Sequence, residues 1–243
     1  MSTNLKEGFS FFDMSGLLLS LSGIVLGILL AVADYHVTWS TAAALILTVV
    51  PMHIYMRNSG RLPLAASVAG AVLAVYLSYR TLFSLESLLL LLFAYFIMRM
   101  ARGVGGRGRI SDAFLTCFLK GPLALVGAYF VCTHSFPFWI VVLPSLSVGL
   151  LTVAADGTED AYGRGLVTFI IFIGIAVMLV FAFLRIFSWF HFIFAAVIPV
   201  FAYIVTRMYV KKEQTLSDYR PALSVCTFAY ALLAGLGFVI HLF

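Results

Sequence analysis

The sequence alternates between long apolar runs and short polar breaks along its whole length. Each run approaches the roughly 20 apolar residues that a helix needs to cross a bilayer. Backbone groups in lipid must be satisfied internally, and a helix does this within one segment. The pattern therefore predicts an all-α, polytopic membrane protein with about nine transmembrane helices. The predicted helices span approximately 14–33, 37–56, 62–79, 82–99, 113–132, 137–155, 166–184, 187–206 and 221–243.

The composition agrees with this pattern. Hydrophobic residues make up 63% of the 243 residues and charged residues 10%, whereas soluble domains average about 45–50% and about 25%. The mean hydropathy is +1.10, which is too high for a chain with one soluble core. Because no polar stretch is long enough for a separate soluble unit, we expect a single transmembrane domain over 1–243.

The basic residues indicate how the predicted bundle sits in the membrane. With a cytoplasmic N-terminus, all but three of the 15 Lys and Arg fall on the cytoplasmic side, the exceptions being Arg80, Arg185 and Lys120. Cytoplasmic loops carry an excess of Lys and Arg, so this orientation is predicted. The three tryptophans then lie at outer helix starts, as an aromatic belt would. The net charge of +5 needs no nucleic-acid partner, since no basic stripe alternates with exposed aromatic residues.

An acidic segment follows the sixth apolar run and contains Asp156, Glu159 and Asp160. On a helix these three residues share one face, and three adjacent carboxylates repel one another unless a cation lies between them. Oxygen ligands of this kind suit Mg²⁺, which leaves room for water and phosphate. The alternative is a solvated loop whose acids stabilise the start of the next helix.

A glycine-rich basic segment between the fourth and fifth runs contains Arg102, Arg107 and Arg109. Glycines let backbone N–H groups converge on an anion, and guanidinium groups match phosphate oxygens. The alternative is a flexible loop that is basic only because it faces the cytoplasm.

Lys120 lies within the fifth apolar run, before Gly121 and Pro122. A charge inside a membrane helix usually faces the bundle interior and is a functional candidate. It also lies about two turns from the predicted cytoplasmic end, so a side chain extending to the interface is the alternative. In the first run, Gly23 and Gly27 form a GxxxG pair, which allows close backbone approach.

The order of these features resembles the UbiA superfamily of membrane prenyltransferases, most closely the branch that prenylates 1,4-dihydroxy-2-naphthoate in menaquinone synthesis. The resemblance runs nearly end to end, and nine helices match that family. The residues that carry it are Ser22 to Gly27, the glycine-rich basic segment leading to Asp112, Leu143-Pro144, Gly149-Leu150-Leu151, and Tyr219-Arg220-Pro221.

In that family, Mg²⁺ bridges an isoprenyl diphosphate to two Asp-rich motifs, which follow the second and sixth helices. The resemblance implies a UbiA-like bundle in a bacterial inner membrane, with transfer of the isoprenyl chain to an aromatic acceptor in quinone synthesis. It implies Asp156 and Asp160 as catalytic, metal-binding residues. Together with the patterns above, the catalytic candidates are Asp156, Asp160 and Lys120, and the candidate metal ligands are Asp156, Glu159 and Asp160. The diphosphate would be bound by Arg57, Arg102, Arg107, Arg109 and Arg164.

The sequence departs from the family pattern in both motifs. The stretch 52–60 after the second run contains no carboxylate, and Arg57 in that stretch would contact phosphate directly without metal. Asp156 and Asp160 keep the spacing of the second motif, but alanines replace the usual preceding asparagines. Two functions therefore stay open: a prenyltransferase, or a non-catalytic homologue that binds an isoprenoid or quinone or partners another membrane protein. A small transporter is disfavoured, since the hydropathy shows no inverted repeat.

Overall fold

All the secondary structure that the structure describes is helical. The computed structural model describes residues 13–35, 37–57, 109–137, 141–157, 163–184, 189–211 and 213–240, with helical positions at 68–70, 72–73, 75–76 and 79. No strand occurs among these residues, so the predicted all-α class is confirmed for this part of the chain.

Eight α-helices follow one another in the described part of the chain, and helical turns of another type lie directly before three of them. Arg109–Phe118 passes through a π-helical turn, Leu119–Leu123, into the next helix, and a 3₁₀ segment, Trp189–Val197, leads directly into another. A short 3₁₀ turn, Leu216–Tyr219, precedes the last helix. The helices are α1 (Met14–Asp34), α2 (Trp39–Arg57), α3 (Arg109–Phe118), α4 (Ala124–Thr133), α5 (Val142–Asp156), α6 (Arg164–Leu184), α7 (Ile198–Val210) and α8 (Arg220–Ile240).

Five helical stretches of the described residues are long and apolar enough to cross a membrane. They coincide with the first, fifth, seventh, eighth and ninth predicted runs, and α5, in the sixth run, is a shorter apolar helix. The run 82–99 and much of 62–79 lie outside the described residues, so the count of nine and the orientation of the N-terminus stay predictions. The five stretches are Met14–Asp34, Ala113–Thr133, Arg164–Leu184, Phe190–Val210 and Leu216–Ile240.

The outer surface of α6 shows why these helices suit lipid. Leu166, Phe169, Phe172, Val180 and Phe183 are all exposed and recur at helical spacing along one side. A continuous apolar strip of this length is unusual on a soluble monomer, where large exposed apolar patches mark contact surfaces. In a bilayer the same strip faces acyl chains, so the chain is an integral membrane protein.

Helix α1 lies at the centre of the described bundle and packs most extensively against α8 and α4. Its two GxxxG glycines make the contact with α4 possible. A Cβ atom at Gly23 would overlap the carbonyl oxygen of Lys120, and one at Gly27 would overlap that of Leu125. The predicted close backbone approach of this pair is confirmed.

Candidate functional site

Four charged side chains meet at the end of the bundle where α1 and α8 begin and α5 ends. Asp13 precedes α1, Lys120 lies in the π-helical turn, Asp156 is the last residue of α5, and Arg220 is the first residue of α8. We call this set the ion network. Each member comes from a different element, so the network joins parts of the chain that are distant in sequence.

The carboxylate of Asp156 is bonded on both oxygens. Lys120 Nζ donates to its Oδ2 at 2.5 Å, and Arg220 Nη2 donates to its Oδ1 at 3.2 Å. Arg220 also forms a forked contact with Asp13, with Nη1 to Oδ1 at 3.1 Å and Nη2 to Oδ2 at 3.0 Å. The planar guanidinium suits this geometry because its N–H groups are fixed in a fork. Two carboxylates thus meet two cations, and the network is neutral as a whole.

Exposure divides the network into a closed part and an open part. The Arg220 and Asp13 side chains are 11% and 9% exposed, whereas Lys120 and Asp156 are each 21% exposed. Buried charges persist only when they are paired. The Arg220–Asp13 contact therefore anchors the network, and the Lys120–Asp156 contact forms its more exposed edge.

Asp156 directly follows the predicted span 137–155. The two cations beside it affect the pKa of its carboxyl group. Burial acts to raise the pKa of this carboxyl, but the nearby charges and hydrogen bonds of Lys120 and Arg220 outweigh it. The net effect is a pKa of Asp156 below its ordinary value, so Asp156 is ionised at neutral pH.

Local sequence explains why Lys120 reaches Asp156. Pro122 lacks a backbone N–H and would crowd the preceding turn of an α-helix, and the helix widens here into a π turn. Gly121 brings this turn directly against α5, since a Cβ there would meet the Gly149 backbone. Gly149 and Asp156 are seven residues apart, so they lie on the same face of α5 about two turns apart. The Lys120 side chain extends along that face.

His53 from α2 also lies at this end of the bundle. A Cβ at Gly16 would meet both His53 Cε1 and Asp13 Oδ2, each at 2.6 Å. The imidazole and the carboxylate therefore flank the same small residue in the first turn of α1. Any side chain larger than glycine at this position would displace one of them.

The predicted site residues have different outcomes. The structure brings Lys120 and Asp156 together. The Lys120 side chain extends toward the end of the bundle, where it donates to the Asp156 carboxylate. Arg164 begins α6, and its Nη2 donates to the backbone carbonyl of Gln214 at 3.1 Å. Arg57 and Arg109 belong to α2 and α3, but their side chains are outside the described part. The positions that lie wholly outside it are Arg102, Arg107, Glu159 and Asp160.

The described residues can be tested against the Mg²⁺ ion that the resemblance implies. Asp156 is a poor fit for a ligand in this arrangement, because a divalent cation there would lie beside the Lys120 ammonium and the Arg220 guanidinium that already contact its two oxygens. No group of three His, Cys, Asp or Glu within the described ranges is placed to hold a metal ion.

Asp13 and Arg220 were not predicted as site residues. The available signal was their position, because each directly precedes an apolar run on the same predicted side as Asp156. Two buried opposite charges at one end of a bundle are expected to pair.

Comparison with known proteins adds no family to this description. No protein-family model matches the chain, and no curated protein matches it either.

Proposed function

We propose that this chain is a membrane-embedded protein of the UbiA prenyltransferase type. It binds an isoprenyl diphosphate at the bundle end that carries the ion network and transfers the chain to an aromatic acceptor. The observation that supports this proposal is the meeting of Lys120 and Arg220 at Asp156, the first residue of the acidic segment, with Lys120 and Asp156 partly open. Ionisable side chains at the end of a membrane bundle are candidates for a functional site, and the N–H donors of Lys120 and Arg220 match phosphate oxygens.

Other basic residues are predicted to lie near this end of the bundle and would also favour a diphosphate there. In the predicted topology, the glycine-rich basic segment, Arg57 and Arg164 share the cytoplasmic side with the ion network. Fixed guanidinium groups around a diphosphate would stabilise the negative charge that develops as it leaves. Arg102, Arg107 and Arg109 would add to this field, and the isoprenyl chain would lie along the apolar helices.

The proposed reaction is an alkyl transfer. The bond between the first isoprenyl carbon and the diphosphate oxygen breaks, a bond to an electron-rich carbon of the acceptor forms, and that carbon loses its proton. The residues of this chain would bind and orient the diphosphate and stabilise its charge. Glu159 and Asp160, which carry the sequence-based expectation of a metal site, would hold Mg²⁺ for the transfer step, where the ion would stabilise the charge of the leaving diphosphate.

A second candidate function is a non-catalytic homologue that binds an isoprenoid or quinone or serves as a membrane partner subunit. The observation that favours it is the state of Asp156, whose two oxygens are already neutralised by cations of the chain. A carboxylate held in this way contributes to structure without contributing a free ligand. A homologue of this kind that binds an isoprenoid diphosphate would use the same headgroup site and differ only in turnover.

Transfer of a labelled prenyl chain from its diphosphate to a dihydroxynaphthoate acceptor decides between them. Purified protein with Mg²⁺ should form product, and Asp156→Ala with Asp160→Ala should abolish it. Lys211→Met, which removes an exposed cation of the segment after α7, serves as the control and should keep full turnover. If diphosphate binds but no product forms across several chain lengths and acceptors, the non-catalytic function is the correct one.

A further inference from the structure

We infer that Lys120 replaces the divalent cation at Asp156, so that this chain binds a diphosphate headgroup without metal. The inference rests on the proposed function and specifies how its headgroup site is neutralised. It also departs from what the family resemblance implies, because there Mg²⁺ joins the carboxylates to the diphosphate.

The carboxylate of Asp156 already has cationic partners within the chain. Its Oδ2 accepts from Lys120 and its Oδ1 from Arg220, so both oxygens already face a positive charge. Mg²⁺ requires near-ideal octahedral geometry and gives up water reluctantly. Binding it at Asp156 would bring a divalent cation against the ammonium and guanidinium that already contact both oxygens, and would require it to lose water in a partly buried place. Both effects oppose metal binding.

Lys120 can donate a hydrogen bond to a phosphate oxygen without leaving Asp156. An ammonium has three N–H donors, and the described contact with Asp156 uses one of them. Lys120 belongs to the open edge of the network, on a flexible four-carbon side chain. Its remaining donors can therefore be directed at an oxygen of an arriving diphosphate.

Both carboxylates of the network keep a cationic partner while Lys120 binds. If Lys120 shifts toward a phosphate, Asp156 keeps the contact with Arg220. Arg220 is itself fixed by its forked contact with the 9%-exposed Asp13. No carboxylate is left buried without a cation, so the shift avoids the large cost of an unpaired buried charge.

A separate feature of the sequence also supports headgroup binding without metal. The stretch 52–60 contains no carboxylate, although the family resemblance places the first metal-binding motif there. A site without carboxylates in this stretch, and with an ammonium already at Asp156, offers a metal fewer ligands than the family pattern does. Both changes are expected together if cationic side chains have taken over the role of Mg²⁺.

The test measures binding of labelled farnesyl diphosphate to the purified full chain, with EDTA and with Mg²⁺, and with inorganic pyrophosphate as the headgroup competitor. Wild type should bind equally in both conditions. Lys120→Met should weaken binding in EDTA by about tenfold to a hundredfold, the range expected for one lost bond to a charged group. Lys120→Arg, which keeps the charge, should retain most of the affinity, and Lys211→Met should match wild type.

The metal response of Lys120→Met separates this role from a merely structural one. That variant vacates Asp156 Oδ2, so Mg²⁺ should restore part of its binding while leaving wild type unchanged.

Wild-type binding that requires Mg²⁺ would overturn the inference and leave the proposed function standing. The same holds if Lys120→Met binds as wild type does in EDTA. If wild type binds neither farnesyl diphosphate nor pyrophosphate in any condition, the proposed function fails and the inference falls with it. Should Lys120→Met not fold, the wild-type comparison of EDTA with Mg²⁺ still decides.

Discussion

Replacing Arg220 by methionine should destabilise the protein more than any other single change in the ion network. Arg220 contacts two carboxylates, and both it and Asp13 are largely buried. Removing one partner of a buried ion pair typically costs about 3–5 kcal/mol, because the remaining charge is left unpaired. Lys120→Met should cost less, about 1–3 kcal/mol, since Asp156 keeps Arg220 and is more exposed. The order of the two variants follows from burial and from the number of partners.

Equilibrium unfolding in mixed detergent micelles, followed by circular dichroism, measures these differences. Cys226, on α8 and only 7% exposed, provides a local reporter. Its maleimide labelling, resolved by mass spectrometry, should accelerate in Arg220→Met because the start of α8 has lost its anchor. Lys211→Met is the matched control and should change the unfolding free energy by no more than about 0.5 kcal/mol.

A rescue variant tests the physical cause. In Arg220→Met, the buried carboxylate of Asp13 has lost its forked partner, and Asp13→Asn removes that charge. The double variant should recover part of the lost stability, with a coupling energy of about 0.5–3 kcal/mol. If Arg220→Met unfolds like the control, or if Asp13→Asn deepens the loss additively, the network does not stabilise the bundle as described.

Three further predictions concern packing, pH and the opposite end of the bundle. Gly23→Ala should destabilise by about 1–3 kcal/mol, since its Cβ meets a carbonyl of the facing helix, whereas Gly163→Ala, in open space, should not; thermal melts of both compare them. The pKa of Asp156 is depressed, so its contribution to stability should be complete above the ordinary carboxyl pKa and be lost progressively as pH falls from there through the folded-state pKa. Stability titrated with acid should show this loss in wild type and not in Asp156→Asn. Tyr129→Phe removes the 2.8 Å bond to Asp34 and should cost about 0.5–1.5 kcal/mol while leaving diphosphate binding unchanged, as the same two assays would show.

The helices could be predicted because membrane spans are set by the local run of apolar residues. The predicted run 113–132 corresponds to the described stretch Ala113–Thr133, and 166–184 to Arg164–Leu184. The π turn at Leu119–Leu123 was not predicted. A proline inside a run signals a break, but whether the helix kinks, ends or widens depends on its neighbours.

The pairing in the site was only partly accessible to the sequence. Lys120 and Asp156 were each predicted as site residues, yet their contact depends on the rotation of α5 about its axis, which an apolar run does not fix. That rotation follows from the close approach at Gly121 and Gly149. Arg220 and Asp13 lie 207 residues apart in sequence. The only sequence signal that relates them is their predicted position on the same side of the membrane.

Mapping where an isoprenyl diphosphate binds would test the proposed headgroup site most directly. A photoreactive isoprenyl diphosphate analogue, crosslinked to the purified protein, can be located by peptide mass spectrometry. If the ion network forms the headgroup site, label should appear in peptides around Lys120 and Asp156 and disappear with excess pyrophosphate. Label confined to the opposite end, near Asp34 and Tyr129, or label that pyrophosphate does not compete, would contradict it.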